Sequence, residues 1–280
     1  MNLIDSEIID FYNHSSEESR LTVGLGPLEF ERNKDLISRY LPDGRGVIAD
    51  VGGGTGHYAR WLSNLGHEVH LIDPVVRHIQ QAQKRSRNSR TAFKASLGEA
   101  RSLPIASRSV DLVILHGPLY HLQNHTDRLS AIREASRIIK LDGIILGFAI
   151  TYAASTLATL HQGLIQDNNI FAMCRQELQS GEHYPSENFP GMLPSAFFHR
   201  PSELTNEFAQ AGLSALELLA VEGIAWVDYR YFDSWACPQK KHRLLELVKL
   251  TENDRDLLCL SPHIMIAAAL DYSISRQVGR

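Results

Sequence analysis

The sequence predicts an α/β fold, a largely parallel sheet with helices covering both faces. Apolar, β-branched runs recur at 46–52, 67–73, 91–96, 110–117 and 143–150, and stretches with helical spacing separate most of them. These runs are apolar throughout rather than alternating, as strands buried on both sides require. The first run leads directly into four glycines within five positions, Gly52, Gly53, Gly54 and Gly56. Something must approach the backbone closely there.

Each element has its own signal. After the first strand, "GVIADVG", residues 55–64 begin a helix that places Tyr58, Trp61, Leu62 and Leu65 at helical spacing. The second strand, "HEVHLID", runs into Asp73 and Pro74, and Pro74 opens a helix to about 84. The third strand is "TAFKAS" and the fourth "VDLVILHG". A helix over 126–140 then aligns Leu129, Ile132, Ala135, Ile138 and Ile139, and "GIILGFAI" is the fifth strand. Beyond 150 the pattern changes. Residues 151–198 show no clear strand, being helical at first and irregular later. A helix at 201–211 has Pro201 in its first turn and Gly212 as its stop. A strand at 215–223, an aromatic-rich stretch to about 236, a helix at 240–250 and a strand at 263–270 complete the chain. The expected organisation is a single domain over 1–280. It has an N-terminal helical cover (1–45), a ligand-binding core (46–150), insertions at 151–199 and 224–262, and the end of the sheet at 200–223 and 263–270.

Bulk properties limit the partners. A 280-residue chain can bury a full core, and a net charge of −4 with both signs interspersed suggests no polyanion partner. The run "KRSRNSR" at 84–90 reads as a solvated helix end rather than a nucleic-acid patch. Cys174, Cys237 and Cys259 form no paired motif, so neither a disulfide framework nor a metal site is expected. The first residues lack the basic-then-apolar signature of a secretory signal, and no apolar run reaches membrane-spanning length. A cytoplasmic protein without a membrane or nucleic-acid partner is expected.

The glycine turn discriminates among ligands. A dinucleotide fingerprint needs glycines at positions one, three and six, and the sixth position here is His57. A phosphate-binding loop needs Gly-Lys-Ser/Thr, which is absent. What stands here is Asp50-x-Gly52-x-Gly54-x-Gly56, with the aspartate at the carboxyl end of a strand, where ligands bind in such sheets. A carboxylate there would repel a pyrophosphate and attract a ligand bearing ammonium and sulfonium charges. Asp73, at the end of the second strand, is placed to accept hydrogen bonds from two ribose hydroxyls, or else to cap the next helix. In "LGEARSLP", Glu99 and the N–H of Ala100 could meet an adenine.

Together, "ADVGGGTGHYARWL", "VHLIDP", "LGEARSLPIASRSVDLVILHGPLYHL" and "DRLSAIREASRIIKLDGIILGF" resemble the class I S-adenosylmethionine-dependent methyltransferases over residues 46–150. They look most like the small-molecule branch related to ubiquinone-biosynthesis methyltransferases. The resemblance implies a Rossmann-like, seven-stranded, mostly parallel sheet whose antiparallel last strand is 263–270, with helical lid insertions. It implies that Asp50 and Gly52 to Gly56 line the methionine part of S-adenosylmethionine. Asp73-Pro74 would hold the ribose, Glu99 and Ala100 would meet the adenine, and His116 would lie against the methionine. The family's usual Asp before Ala100 is Glu99 here, and its Lys-Pro-Gly-Gly turn is "KLDG" at 140–143.

The expected acceptor is a small organic molecule, methylated at oxygen, nitrogen or carbon. The tetrad typical of amide- and exocyclic-nitrogen methylases is replaced by "HGPLYHL". A hydroxyl or acidic carbon would need a base, for which His121 and Tyr120 are the candidates. Tyr12 is expected to close over the cofactor from the N-terminus. The two insertions carry Phe171, His183, Tyr184, Phe189, Phe197, Phe198, Trp226, Tyr229, Tyr231, Phe232 and Trp235, and Tyr12, Tyr184 and Trp226 are the expected acceptor contacts. The alternatives are an NAD(P)-dependent oxidoreductase, disfavoured by His57 and Asp50, and a non-catalytic cofactor-binding protein of the same fold.

Overall fold

The computed structural model describes residues 6–14, 17–185 and 193–271. Phe189 lies outside them. Seven strands form the main sheet: β1 (Val47–Val51), β2 (Glu68–Asp73), β3 (Lys94–Leu97), β4 (Val110–Leu115), β5 (Ile139–Ile150), β6 (Leu213–Ala220) and β7 (His263–Leu270). Their order is β3-β2-β1-β4-β5-β7-β6, and only β7 runs antiparallel to its neighbours. The order reverses between β1 and β4, which opens a crevice at the carboxyl ends of those strands.

Alternation along the strands builds two cores. Ala49, Val51, Val113, Leu115 and Ile145 face one side, where α7 (His125–Ile138) and α10 (Pro201–Gln210) supply Ile132, Ala135, Leu204 and Phe208. Ile48, Leu112, Ile114 and Leu146 face the other. There α3 (Gly26–Ser38), α4 (His57–Asn64) and α5 (Val76–Arg87) supply Leu36, Ile37, Ala59, Leu62, Ile79 and Ala82. Burying one such side chain is worth about 1.5–3 kcal/mol. A one-residue slip would exchange the two sets, so packing fixes the register.

Three boundaries differ from the sequence reading for physical reasons. The third strand begins at Lys94, because Ser86 Oγ accepts the N–H of Phe93 and donates to its carbonyl, removing both from the ladder. The fifth strand starts at Ile139, where a helix was expected. Val110 pairs with Ile139, and the register shifts before Leu112 meets Ile144. Within 151–198, α8 (Ala154–His161) and α9 (Asn168–Ser180) are followed by a short antiparallel ribbon, Glu182–His183 with Ala196–Phe197. The second insertion contains α11 (Tyr231–Ala236) and α12 (Pro238–Thr251). Lys84, Arg85 and Arg87 of the basic run occupy the last turn of α5, where cations complement the helix carbonyls. Among the described residues, no helix is long and apolar enough to cross a membrane.

Two short N-terminal helices, α1 (Ser6–His14) and α2 (Glu17–Arg20), lie across the crevice. The ring N–H of His57 donates to the Glu18 carbonyl at 3.0 Å, and Arg77 donates to the Asn13 carbonyl. The N-terminal segment thereby covers part of the crevice.

Candidate active site

The glycine turn hangs from the end of β1. Gly52, Gly54 and Gly56 have φ of 76°, 55° and 85°, conformations that L side chains resist. A Cβ on Gly52 would stand 2.2 Å from the His116 carbonyl oxygen, and one on Gly56 2.9 Å from the Phe93 ring. A Cβ on Gly53 would meet Asp50 Oδ2 at 2.6 Å. Gly54 differs, since nothing lies within 4 Å of its added Cβ. Its open side faces the cavity.

Three carboxylates stand at or behind this turn. Asp73 Oδ2 accepts the Gly54 N–H at 2.9 Å, while Oδ1 accepts the Val75 N–H at 2.9 Å and meets His78 Nδ1 at 3.0 Å. Asp73 therefore caps the turn into α5 and also lines the cavity with Pro74. Glu99 Oε2 accepts from the backbone N–H and the Nε–H of Arg101 at 3.1 and 2.8 Å. Arg101 continues to Asp127 at 3.2 Å, and Gly98, Glu99 and Ala100 line the same end of the cavity. Asp50 is completely buried behind Gly53, one layer off the cavity wall. Burial, and then the charge of Asp73, push its carboxyl up to about 7, and neither of its oxygens has a hydrogen-bond partner among the described residues.

Histidines and tyrosines form the opposite wall. His116 stacks between Tyr58 (centroids 4.6 Å apart) and Phe148 (4.1 Å). Asn33 Nδ2 donates to the Tyr58 hydroxyl at 2.8 Å and to His116 Nε2 at 3.3 Å. Burial pulls the His116 imidazole down to about 3, so it is neutral near pH 7, and its Nδ1 is buried without a partner. Tyr120 and His121 lie in α6 (Pro118–His121), a single turn after Gly117. His121 Nε2 shares a 2.7 Å hydrogen bond with the Tyr12 hydroxyl. Burial lowers the His121 imidazole to about 4, with Asp73 opposing and His78 assisting.

A charged chain that sequence reasoning missed closes the far end. Arg20 donates to Glu29 at 2.6 Å and to Glu17 at 2.8 Å. Burial alone would raise the Glu29 carboxyl, but Arg20, His263 and His116 hold it near 2. His263, the first residue of β7, joins Glu222 at 2.7 Å.

The structure thus gathers Tyr12, Gly52, Gly53, Gly54, Asp73, Pro74, Glu99, Ala100, His116, Tyr120 and His121 around one cavity of about 730 Å³. Asp50 and Gly56 support the turn from behind. Tyr184 and Trp226, expected as acceptor contacts, are placed elsewhere. Tyr184 is half exposed off the cavity wall. Trp226 packs with Leu28, Ala225, Tyr231 and Val248, its indole N–H spent on the Leu260 carbonyl. The other insertion aromatics are also elsewhere: Phe171, Tyr229 and Phe232 face solvent, and His183 is buried against Glu177. Among the described residues, 151–199 sends only Leu193 to the cavity and 224–262 sends none. The N-terminal segment does the covering, through Ile8, Phe11, Tyr12, Glu17, Arg20 and Leu21.

The residues present suit a nucleoside cofactor bearing a charged amino-acid tail. Gly54 leaves open space at a left-handed turn, Asp73, Glu99 and Ala100 line the same cavity, and His116 on its wall carries a buried imidazole nitrogen without a partner. Residues 49–147 match the family model described as a methyltransferase domain. No curated protein is significantly similar in sequence. Among solved structures, an S-adenosylmethionine-dependent methyltransferase from Methanosarcina mazei is 17% identical, with 84% of this chain and 97% of that one covered at a TM-score of 0.57. One from Mesorhizobium loti is 15% identical (86% and 99% covered, TM-score 0.57). The CcbJ methyltransferase from Streptomyces caelestis is also 15% identical (95% and 96% covered, TM-score 0.58). The fold is the Rossmann-like methyltransferase fold. The chain carries a methyltransferase domain over residues 49–147, with S-adenosylmethionine as its methyl donor. The nicotinamide alternative falls with that match.

Proposed function

We propose that the protein methylates a small organic molecule, bound beside S-adenosylmethionine in the same closed cavity. The observation that carries this is the shared wall. Gly52 to Gly54, Asp73 and Glu99 line one cavity together with Tyr12, Tyr120, Ile150, Leu193 and His263. A volume of about 730 Å³ under two helices suits a small-molecule pair.

In this reading Asp73 holds the ribose, Glu99 and Ala100 the adenine, and His116 the methionine portion. The methyl–sulfur bond is activated already, so holding the acceptor in line supplies much of the acceleration. The chain's contribution is to position both partners and exclude water. His121 and Tyr12 act as a latch between α6 and α1, because their hydrogen bond engages the His121 nitrogen that a base would need. The chain works as a single unit, with the N-terminal segment as cover. The three cysteines are free thiols, as a reducing, cytoplasmic setting would keep them.

The test uses S-adenosylmethionine labelled in its methyl group, incubated with fractionated cell extract. Label is expected in the small-molecule fraction. Label confined to RNA, DNA or protein would overturn the reading.

A further inference from the structure

Glu222 and His263 form a dyad that no expectation had placed in the site. Glu222 follows β6 directly and is almost fully buried. Its Oε2 accepts the His263 backbone N–H at 3.0 Å and the Ser261 hydroxyl at 3.1 Å. Its Oε1 accepts His263 Nδ1–H at 2.7 Å. A carboxylate so anchored fixes both the ring orientation and the tautomer, so the proton sits on Nδ1 and the lone pair on Nε2. His263 is a cavity-wall residue whose side chain is 24% exposed, and its Nε2 makes no hydrogen bond among the described residues. Antiparallel pairing sets His263 opposite Ile150, the last residue of β5, at the carboxyl edge of the sheet. The dyad therefore stands across the fourth and fifth strands from the glycine turn.

We propose that His263, oriented by Glu222, is the base that takes the proton from a phenolic acceptor. The inference rests on the methyl-transfer reading above. The acceptor oxygen forms a new bond to carbon as the methyl–sulfur bond breaks, and that bond's electron pair stays on sulfur. The hydroxyl proton passes to His263 Nε2 and later to water. Reference acidities select a phenol: near 10 for a phenolic hydroxyl against about 6.5 for imidazole, the gap is about 3.5 pH units. Tyr58, Tyr120, Ile150 and Leu193 supply ring-sized apolar walls.

The surroundings add to the imidazole's basicity. Burial opposes its charge, but Glu222, and behind it Glu29, raise it above the ordinary histidine range, with Arg20 acting against them. His116 faces it as a neutral ring. The neighbouring carboxylates are already engaged as acceptors, Glu29 from Arg20 and Glu222 from Ser261 and His263.

The test uses 4-nitrophenol, whose absorbance separates phenol from phenolate, with the full chain saturated by S-adenosylhomocysteine. The phenolate is expected to form at lower pH with wild type than in free solution, and His263→Gln should abolish that displacement. Imidazole NMR should show the Nδ1–H tautomer of His263 in wild type, titrating above the ordinary range. Its midpoint should fall in Glu222→Gln. A phenol titration that wild type leaves unchanged, bound or not, overturns the proposal, as does the opposite tautomer. With an accepted phenol, His263→Gln should lower turnover by roughly 10²–10⁴-fold. Failure of wild type to bind S-adenosylmethionine by calorimetry would instead defeat the methyl-transfer reading, leaving the tautomer result intact.

Discussion

The Tyr12 hydroxyl and His121 Nε2 lie 2.7 Å apart, joining the N-terminal helix to the turn that follows the fourth strand. Tyr12 also packs edge-on against His78, whose Nδ1 meets the Asp73 carboxylate. One tyrosine thus touches both His78, the partner of the residue expected to hold the ribose, and the turn expected to face the acceptor. Closure of the N-terminal cover is coupled to the order of the site beneath it.

If the cover is a gate, residues 6–14 and 17–25 should exchange amide hydrogens quickly in the free protein and slow with S-adenosylhomocysteine. Tyr12→Phe removes a hydrogen bond worth about 1 kcal/mol and should speed that exchange about fivefold. Equal protection with and without ligand would make the segment a fixed wall.

Gly54 and Gly24 offer a matched pair. Both have left-handed φ, 55° and 58°, and neither would place an added Cβ within 4 Å of any atom. Changing either to alanine should cost about 1–2 kcal/mol of stability through backbone strain. Only Gly54→Ala should also weaken S-adenosylmethionine binding, because only its open space faces the turn expected to cradle the ligand. Equal affinities by calorimetry would remove Gly54 from the cofactor surface.

What was legible in the sequence is what is local. Asp50 and Asp73 lie within or at the end of apolar runs and Glu99 stands three residues beyond one, so finding the strands located the carboxylates. Arg20, Glu29, Glu222 and His263 meet only because β5 pairs with β7 and α3 packs beneath α2, contacts that no periodicity encodes. The buried Glu222 at the end of a strand was the one available hint. Aromatic content misled for a related reason. It shows that the insertions carry rings, but not which side of α11 or α12 faces the site. Trp226 stabilises the second insertion instead.

Asp73 serves the fold and the ligand together, and two substitutions separate the roles. Asp73→Asn keeps an acceptor for the Gly54 or Val75 N–H, whereas Asp73→Ala leaves both without it. The asparagine variant should lose about 1.5–3 kcal/mol of cofactor affinity for each charge-assisted bond to ribose with little change in Tm. The alanine variant should lose a similar amount of affinity and also melt earlier. Unchanged affinity in a folded asparagine variant would leave Asp73 with the capping role alone.

Asp50 predicts a proton linkage. Its carboxyl is raised from 3.8 to about 7, first by burial and then by Asp73, so the folded chain binds this proton more tightly than the unfolded chain. The associated stability is complete below 3.8 and is lost as pH rises through about 7, on the order of 4 kcal/mol across the window. Asp50→Asn should flatten that decline, measured by urea unfolding at several pH values. S-adenosylmethionine carries ammonium and sulfonium charges. Placed beyond Gly53 it would favour the Asp50 carboxylate, so binding near pH 7 should release protons. His116 and His121, lowered to about 3 and 4, are already neutral there and contribute none. His263, raised above 6.5, can contribute, so the asparagine variant isolates the Asp50 share. Binding enthalpies measured in phosphate and in Tris should differ for wild type, and differ less for Asp50→Asn. Identical enthalpies in the two buffers for wild type would show that the ligand's positive charges are not felt at Asp50, and the methionine moiety would have to lie elsewhere in the cavity.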